Sequence, residues 1–76
     1  MGKSLLTPDE FKDVCTNSVG STYATSSRVL VDAGLKLQAT VWNGQPARLW
    51  THSAGLECLQ ILSTDRETVD DVWLTQ

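Results

Sequence analysis

His52, Cys15, Cys58 and the adjacent pair Asp70-Asp71 are the side chains whose types best suit catalysis or metal binding. A histidine exchanges a proton near neutral pH, and a cysteine attacks as its thiolate. Their spacing argues against both uses. His52 is the single histidine and has no sequence-evident partner, and the two cysteines are far apart in the chain. Each cysteine falls on the apolar side of an expected helix, so both read as small buried apolar residues, with a disulfide or redox role as the alternative. No glycine-rich phosphate loop follows a strand, and no metal-ligand spacing occurs. Asp70-Asp71 reads as a solvated helix face that keeps the protein soluble or discourages nonspecific nucleic-acid binding. The expectation is a protein that is not an enzyme, with no cofactor and no metal.

A different chemistry is suggested by residues 21–33, Ser-Thr-Tyr-Ala-Thr-Ser-Ser-Arg-Val-Leu-Val-Asp-Ala. Read as a helix, this stretch places Tyr23, Ser27, Leu30 and Ala33 or Gly34 along one side. It leaves Thr22, Thr25, Ser26, Arg28 and Asp32 outside. Hydroxyls and backbone amides bond phosphates, and an arginine forks onto a guanine edge. Thr22, Thr25, Ser26 and Arg28 are therefore candidate contacts to double-stranded DNA, against the plainer alternative of a solvated surface.

Several elements must position these residues. Thr7-Pro8-Asp9-Glu10 is a helix start: Thr7 caps, Pro8 suits the first helical position, and Glu10 completes a Thr-x-x-Glu box. Phe11, Val14 and Cys15 then repeat at helical spacing, giving a helix over 8–16 that Thr16–Gly20 breaks. The second helix covers 21–33. Ser21, Thr22 or Thr25 caps its start, and Gly34-Leu35 ends it, with Gly supplying the left-handed residue.

Residues 35–51 read as a hairpin around Asn43-Gly44, the favoured pair for a type I′ turn. That turn sets Trp42 opposite Gln45, Val41 opposite Pro46, Ala39 opposite Arg48 and Leu37 opposite Trp50. Leu37, Val41, Pro46 and Trp50 form the expected core face, on which Arg48 is discordant. Gln38, Thr40, Trp42, Gln45 and Leu49 share the other face. Thr51-His52-Ser53 reads as a cap for a third helix over about 53–62, carrying Leu56, Leu59, Ile61 and Leu62. Thr64 and Glu67 suggest a second capping box, opening a fourth helix over roughly 65–74 with Val69, Val72 and Trp73.

The chain has 76 residues and a formal charge of −3. That length suits one domain with a small core, here residues 1–76. The charge is unevenly spread. Arg28, Lys36 and Arg48 against Asp32 leave the middle mildly basic, while Glu57, Asp65, Glu67, Asp70 and Asp71 against Arg66 make the tail acidic. Proteins that live on phosphate contacts usually carry more positive charge. No apolar run is long enough to span a membrane and no signal-peptide pattern opens the chain, so a soluble cytoplasmic protein without membrane partners is expected.

The order helix, helix, hairpin, helix, helix, with Arg28–Leu35 ending in Gly-Leu, resembles the recognition helix of MerR-type and phage-excisionase-type winged helix-turn-helix domains. Arg48-Leu49-Trp50-Thr51, with Leu56, Leu59 and Ile61 beyond, resembles those families' wing exit. The likeness covers about residues 5–73. Its departures are a longer loop between the first two helices, one extra residue near Gly55, and low basic content. The resemblance implies an α+β winged-helix-like domain and a sequence-specific DNA-binding regulator, or an excisionase-like recombination-directionality factor of a mobile element. Arg28 would be a recognition-helix contact, Arg48 a wing contact and Trp50 a core residue.

A rival expectation is a small acidic phage-type protein that binds and inhibits a host protein complex without touching DNA. It is motivated by Trp42, which the register points away from the core at the hairpin tip; exposed there it would be a common kind of binding hot spot, the alternative being that another helix covers it. Convergence of Arg28, Lys36 and Arg48 on one face would favour DNA; their dispersal beside an acidic patch would favour the protein partner. Trp73 and Leu74 have few partners in so small a core, and a homodimer would cover them.

Overall fold

The computed structural model describes residues 6–75. Two helices, α1 (Pro8–Asn17) and α2 (Tyr23–Asp32), precede four strands, β1 (Lys36–Trp42), β2 (Gln45–Thr51), β3 (Glu57–Leu62) and β4 (Val69–Thr75). The strands form one antiparallel meander in the order β1-β2-β3-β4.

The chain is therefore α+β but not a winged helix. The helices expected over 53–62 and 65–74 are strands β3 and β4, and the sheet has four strands rather than two. His52 lies in the β2–β3 turn rather than in a helix cap.

The first half follows local rules. The Thr7–Glu10 capping box is complete: Glu10 N–H donates to Thr7 Oγ1 at 3.1 Å, and Thr7 N–H donates to Glu10 Oε1 at 3.0 Å. At the end of α2, Gly34 takes φ +84°, Gly34 N–H bonds Val31 O, and Leu35 N–H bonds Leu30 O. This pair of bonds is a Schellman closure, and it turns Leu35 back onto the core. Asn43 and Gly44, with φ +51° and +82°, close the hairpin in the register read from the sequence.

The second half breaks the helical reading for two reasons. In β3, Cys58, Gln60 and Leu62 face the helices while Leu59 and Ile61 face away, and Cys58, Gln60, Ile61 and Leu62 are all buried. A strand buried on both faces has no clean two-residue period and looks like a helix segment. In β4 the register shifts between Ile61 and Leu62: Leu62 pairs with Val69, yet Ile61 pairs with Asp71. The inserted residue, Asp70, leaves Val69 and Val72 on the same side although they stand three apart, which imitates helical spacing.

The helices cover one face of the sheet. Phe11, Cys15, Leu30, Trp50, Leu56 and Cys58 form the core cluster. α1 lies over β3 and β4. The helical layer stops short of β1, where Leu37 and Val41 remain 45 % and 69 % exposed on the face expected to be core. Trp73 and Leu74, expected on a helix, fall on opposite faces of β4, so a single apolar contact would not cover both.

Candidate binding face of the sheet

The face turned away from the helices is built in rows by the register. One end row is Lys36, Thr51, Glu57 and Thr75; the next is Gln38, Leu49, Leu59 and Trp73; the third is Thr40, Ala47, Ile61 and Asp71; Trp42 and Gln45 close the far end. Trp42 and Trp73 thus start from opposite edge strands. Their rings nevertheless meet, with centroids 6.1 Å apart and planes tilted by 34°. The geometry is an offset aromatic pair, which the ring quadrupoles favour over a flat sandwich. Ala47 and Ile61 are buried although no helix covers this face. The tryptophan pair reaching diagonally across the sheet accounts for that, and the small Ala47 leaves room beneath it.

Both indoles stay accessible, Trp42 at 40 % and Trp73 at 51 % exposed. They line a shallow groove with Thr40, Leu49, Glu57 and Leu59. Glu57 and Asp71 put negative charge on this face, and Asp70 is held at its margin by Gln45, whose Nε2 donates to Asp70 Oδ2 at 3.0 Å. Lys36 is the single basic residue on the face, at the opposite end of β1 from Trp42. The arrangement offers stacking area rimmed by carboxylates.

The residues proposed for DNA do not converge. Arg28 and Thr25 stand on the outer side of α2. Lys36 belongs to the open face of β1. Arg48 points toward the helices, its guanidinium 5.7 Å from the Tyr23 ring centroid and its NH1 donating to Ala47 O. The discord of an arginine on the core face is resolved by that stacking over Tyr23. Thr22 and Thr25 share a hydroxyl–hydroxyl bond of 2.8 Å. Ser26, expected outside, is buried, because α2 is rotated to bring it against Gln60. Thr22 is the N-cap of α2 but caps nothing with its side chain. Instead Tyr23 N–H donates to Glu67 O at 2.7 Å, so the β3–β4 loop caps the helix. Residues compared with a wing exit, Arg48–Thr51 onward, lead into the His52 turn and β3.

A polar site invisible in the sequence lies inside the core. Gln60 is fully buried; its Oε1 accepts from Trp50 Nε1, and its Nε2 donates to Ser18 Oγ and Ser26 Oγ at 3.0 and 3.1 Å. The serine hydroxyls donate in turn to Cys15 O and Tyr23 O. Every member is satisfied, and the network joins both helices to β2 and β3, so its role is architectural. The only signal in the sequence was a glutamine inside an apolar run.

The groups singled out for catalysis each make packing or local hydrogen-bond contacts. His52 Nδ1 accepts from Ala54 N–H at 2.9 Å, which leaves the proton on Nε2 to donate to Leu6 O at 2.7 Å. It ties the segment before α1 to the β2–β3 turn. Cys15 and Cys58, remote in sequence, are neighbours in the core and both free. The Cys58 thiol is pushed far above its ordinary value, by its contact with Cys15 first and by burial second, so it stays protonated. Asp70-Asp71 lies at a β-bulge instead of on a helix face. Among the described residues no cluster of three or more His, Cys, Asp or Glu side chains could hold a metal ion. Among them, too, no helix is long and apolar enough to cross a membrane.

Comparison with protein-family profiles, with characterised proteins and with solved structures yields no match to this chain.

Proposed function

We propose that this protein is a non-catalytic binding module that engages a basic protein partner through the open face of its sheet. The observation that carries the reading is the Trp42–Trp73 pair, half-exposed and rimmed by Glu57, Asp70 and Asp71. Aromatic anchors supply contact area at low entropic cost, and the carboxylates select lysine- or arginine-bearing surfaces. The dispersal of Arg28, Lys36 and Arg48 favours this reading over DNA binding. A partner whose basic surface serves nucleic acid would be blocked by such a contact, which is inhibition by occupancy.

The test follows tryptophan emission while the protein is titrated with a library of lysine- and arginine-containing peptides. Fluorescence anisotropy of a labelled random DNA duplex is followed in parallel at low and moderate salt. Peptide binding that is lost in Trp73→Ser and weakened by salt supports the proposal. Duplex binding that weakens steeply with salt and is lost in Arg28→Ala, with no response to the peptides, overturns it in favour of a DNA-binding regulator.

A further inference from the structure

The two edges of the sheet are treated differently by the sequence. β4 carries a bulge and the acidic pair Asp70-Asp71, devices that discourage another strand from pairing. β1, Lys-Leu-Gln-Ala-Thr-Val-Trp, has no proline, no bulge and no acidic residue, and among the described residues no strand pairs with its outer edge. Its apolar side chains Leu37 and Val41 are uncovered on the helix side.

The turn fixes which backbone groups are free. In a two-residue hairpin the pair flanking the turn exchanges both hydrogen bonds, and bonded and non-bonded pairs then alternate. Trp42, Thr40, Gln38 and Lys36 therefore bond β2. Leu37, Ala39 and Val41 aim their N–H and C=O groups outward. Pro46, which has no N–H, stands opposite Val41 in agreement with that alternation.

We infer that β1 is a two-fold interface between two copies of this chain, joined antiparallel about Ala39. That register pairs Ala39 with its own copy, Leu37 with the partner's Val41, Gln38 with the partner's Thr40, and Lys36 with the partner's Trp42. Each outward N–H meets an outward C=O, so the ladder is complete. Leu37 and Val41 cover each other on the helix side. Lys36 stands opposite the partner's Trp42 on the open side, within reach of a cation–π contact. No like charges oppose one another, and the contact is self-complementary and closed, as a two-fold dimer requires. The two sheets become one of eight strands whose outer edges are the guarded β4 strands.

Sedimentation equilibrium of the full chain, from micromolar to several hundred micromolar, tests this. The wild type is expected to dimerise. Val41→Lys alone is expected to weaken the dimer by about tenfold or more, because it sets a charge against Leu37 of the other copy. Leu37→Glu combined with Val41→Lys is expected to recover most of that loss. The two positions face each other across the register but stand a full four residues apart within one strand. Amide exchange on the wild type gives a second reading that needs no variant: Leu37, Ala39 and Val41 gain protection with concentration, whereas Gln38 and Thr40 are protected throughout. A wild type that stays monomeric, a dimer indifferent to Val41→Lys, failure of the paired substitution to restore it, or open-ended growth beyond two copies overturns the inference.

Discussion

The indole Nε1–H of Trp50 donates to Gln60 Oε1 at 2.7 Å in the sealed centre of the protein, where neither side chain touches solvent. The two residues stand on adjacent strands, and the same glutamine reaches up to a serine at the end of α1 and another in α2. One buried amide thus dictates how the helical layer sits on the sheet.

Gln60→Leu keeps the bulk but strands the Trp50 N–H away from water. The expected cost is about 1–3 kcal/mol, read from urea unfolding midpoints. Adding Trp50→Phe removes the stranded donor, so the pair of substitutions should cost less than the sum of the two alone. Strict additivity would show that the bond couples nothing.

The Trp42–Trp73 stack joins the two edge strands across the open face. A double-mutant cycle with Trp42→Leu and Trp73→Leu should return a coupling of roughly 0.5–1.5 kcal/mol. Near-ultraviolet circular dichroism should lose intensity on either single substitution while the far-ultraviolet spectrum holds. A coupling near zero would mean the rings do not pack in solution.

His52 bridges Leu6 O and Ala54 N–H while its ring lies 5.3 Å from that of Phe11. His52→Leu preserves the apolar contact but leaves both backbone groups unpaired. Stability should fall by about 1–3 kcal/mol, and the Ala54 amide should exchange faster than in the wild type. A variant as stable as the parent would remove the histidine's clamping role.

Asp65 accepts bonds from the Ser63 hydroxyl and from Glu67 N–H in the β3–β4 loop, and these hold its carboxyl below the ordinary aspartate value, the hydroxyl contributing most. The folded value is depressed, so the contribution is whole above the ordinary aspartate range. It is lost as pH falls through that range to the lower folded value. Asp65→Asn should therefore destabilise the protein near neutrality and narrow its gap from the wild type in acid. Urea midpoints at both pH values check the sign; a gap that widens in acid would contradict it.

Cys15 and Cys58 are sealed in the core, with the Cys58 thiol held protonated. Neither should react with an aromatic disulfide reagent in native buffer, and labelling should appear only with unfolding. Rapid modification without denaturant would place at least one thiol at the surface.

What the sequence determined by itself is the local chemistry of the first half. The Thr7–Glu10 box, the Gly34-Leu35 stop and the Asn43-Gly44 turn each depend on contacts within a few residues, and a two-residue turn propagates its register along both strands. The tertiary structure alone decided the rest. β3 is buried on both faces, which erases its period, and the bulge at Asp70 makes Val69 and Val72 mimic a helix, so propensity and spacing misread both segments. Ser26 turned inward because Gln60, remote in the chain, needed a partner. Trp42 was legible as a hairpin-tip residue pointing away from the core, but neither its exposure nor its stacking on Trp73 was, since those residues meet only when four strands are assembled and twisted. Short-range hydrogen bonds can be read in order along a chain; packing between distant residues exists only once the layers close.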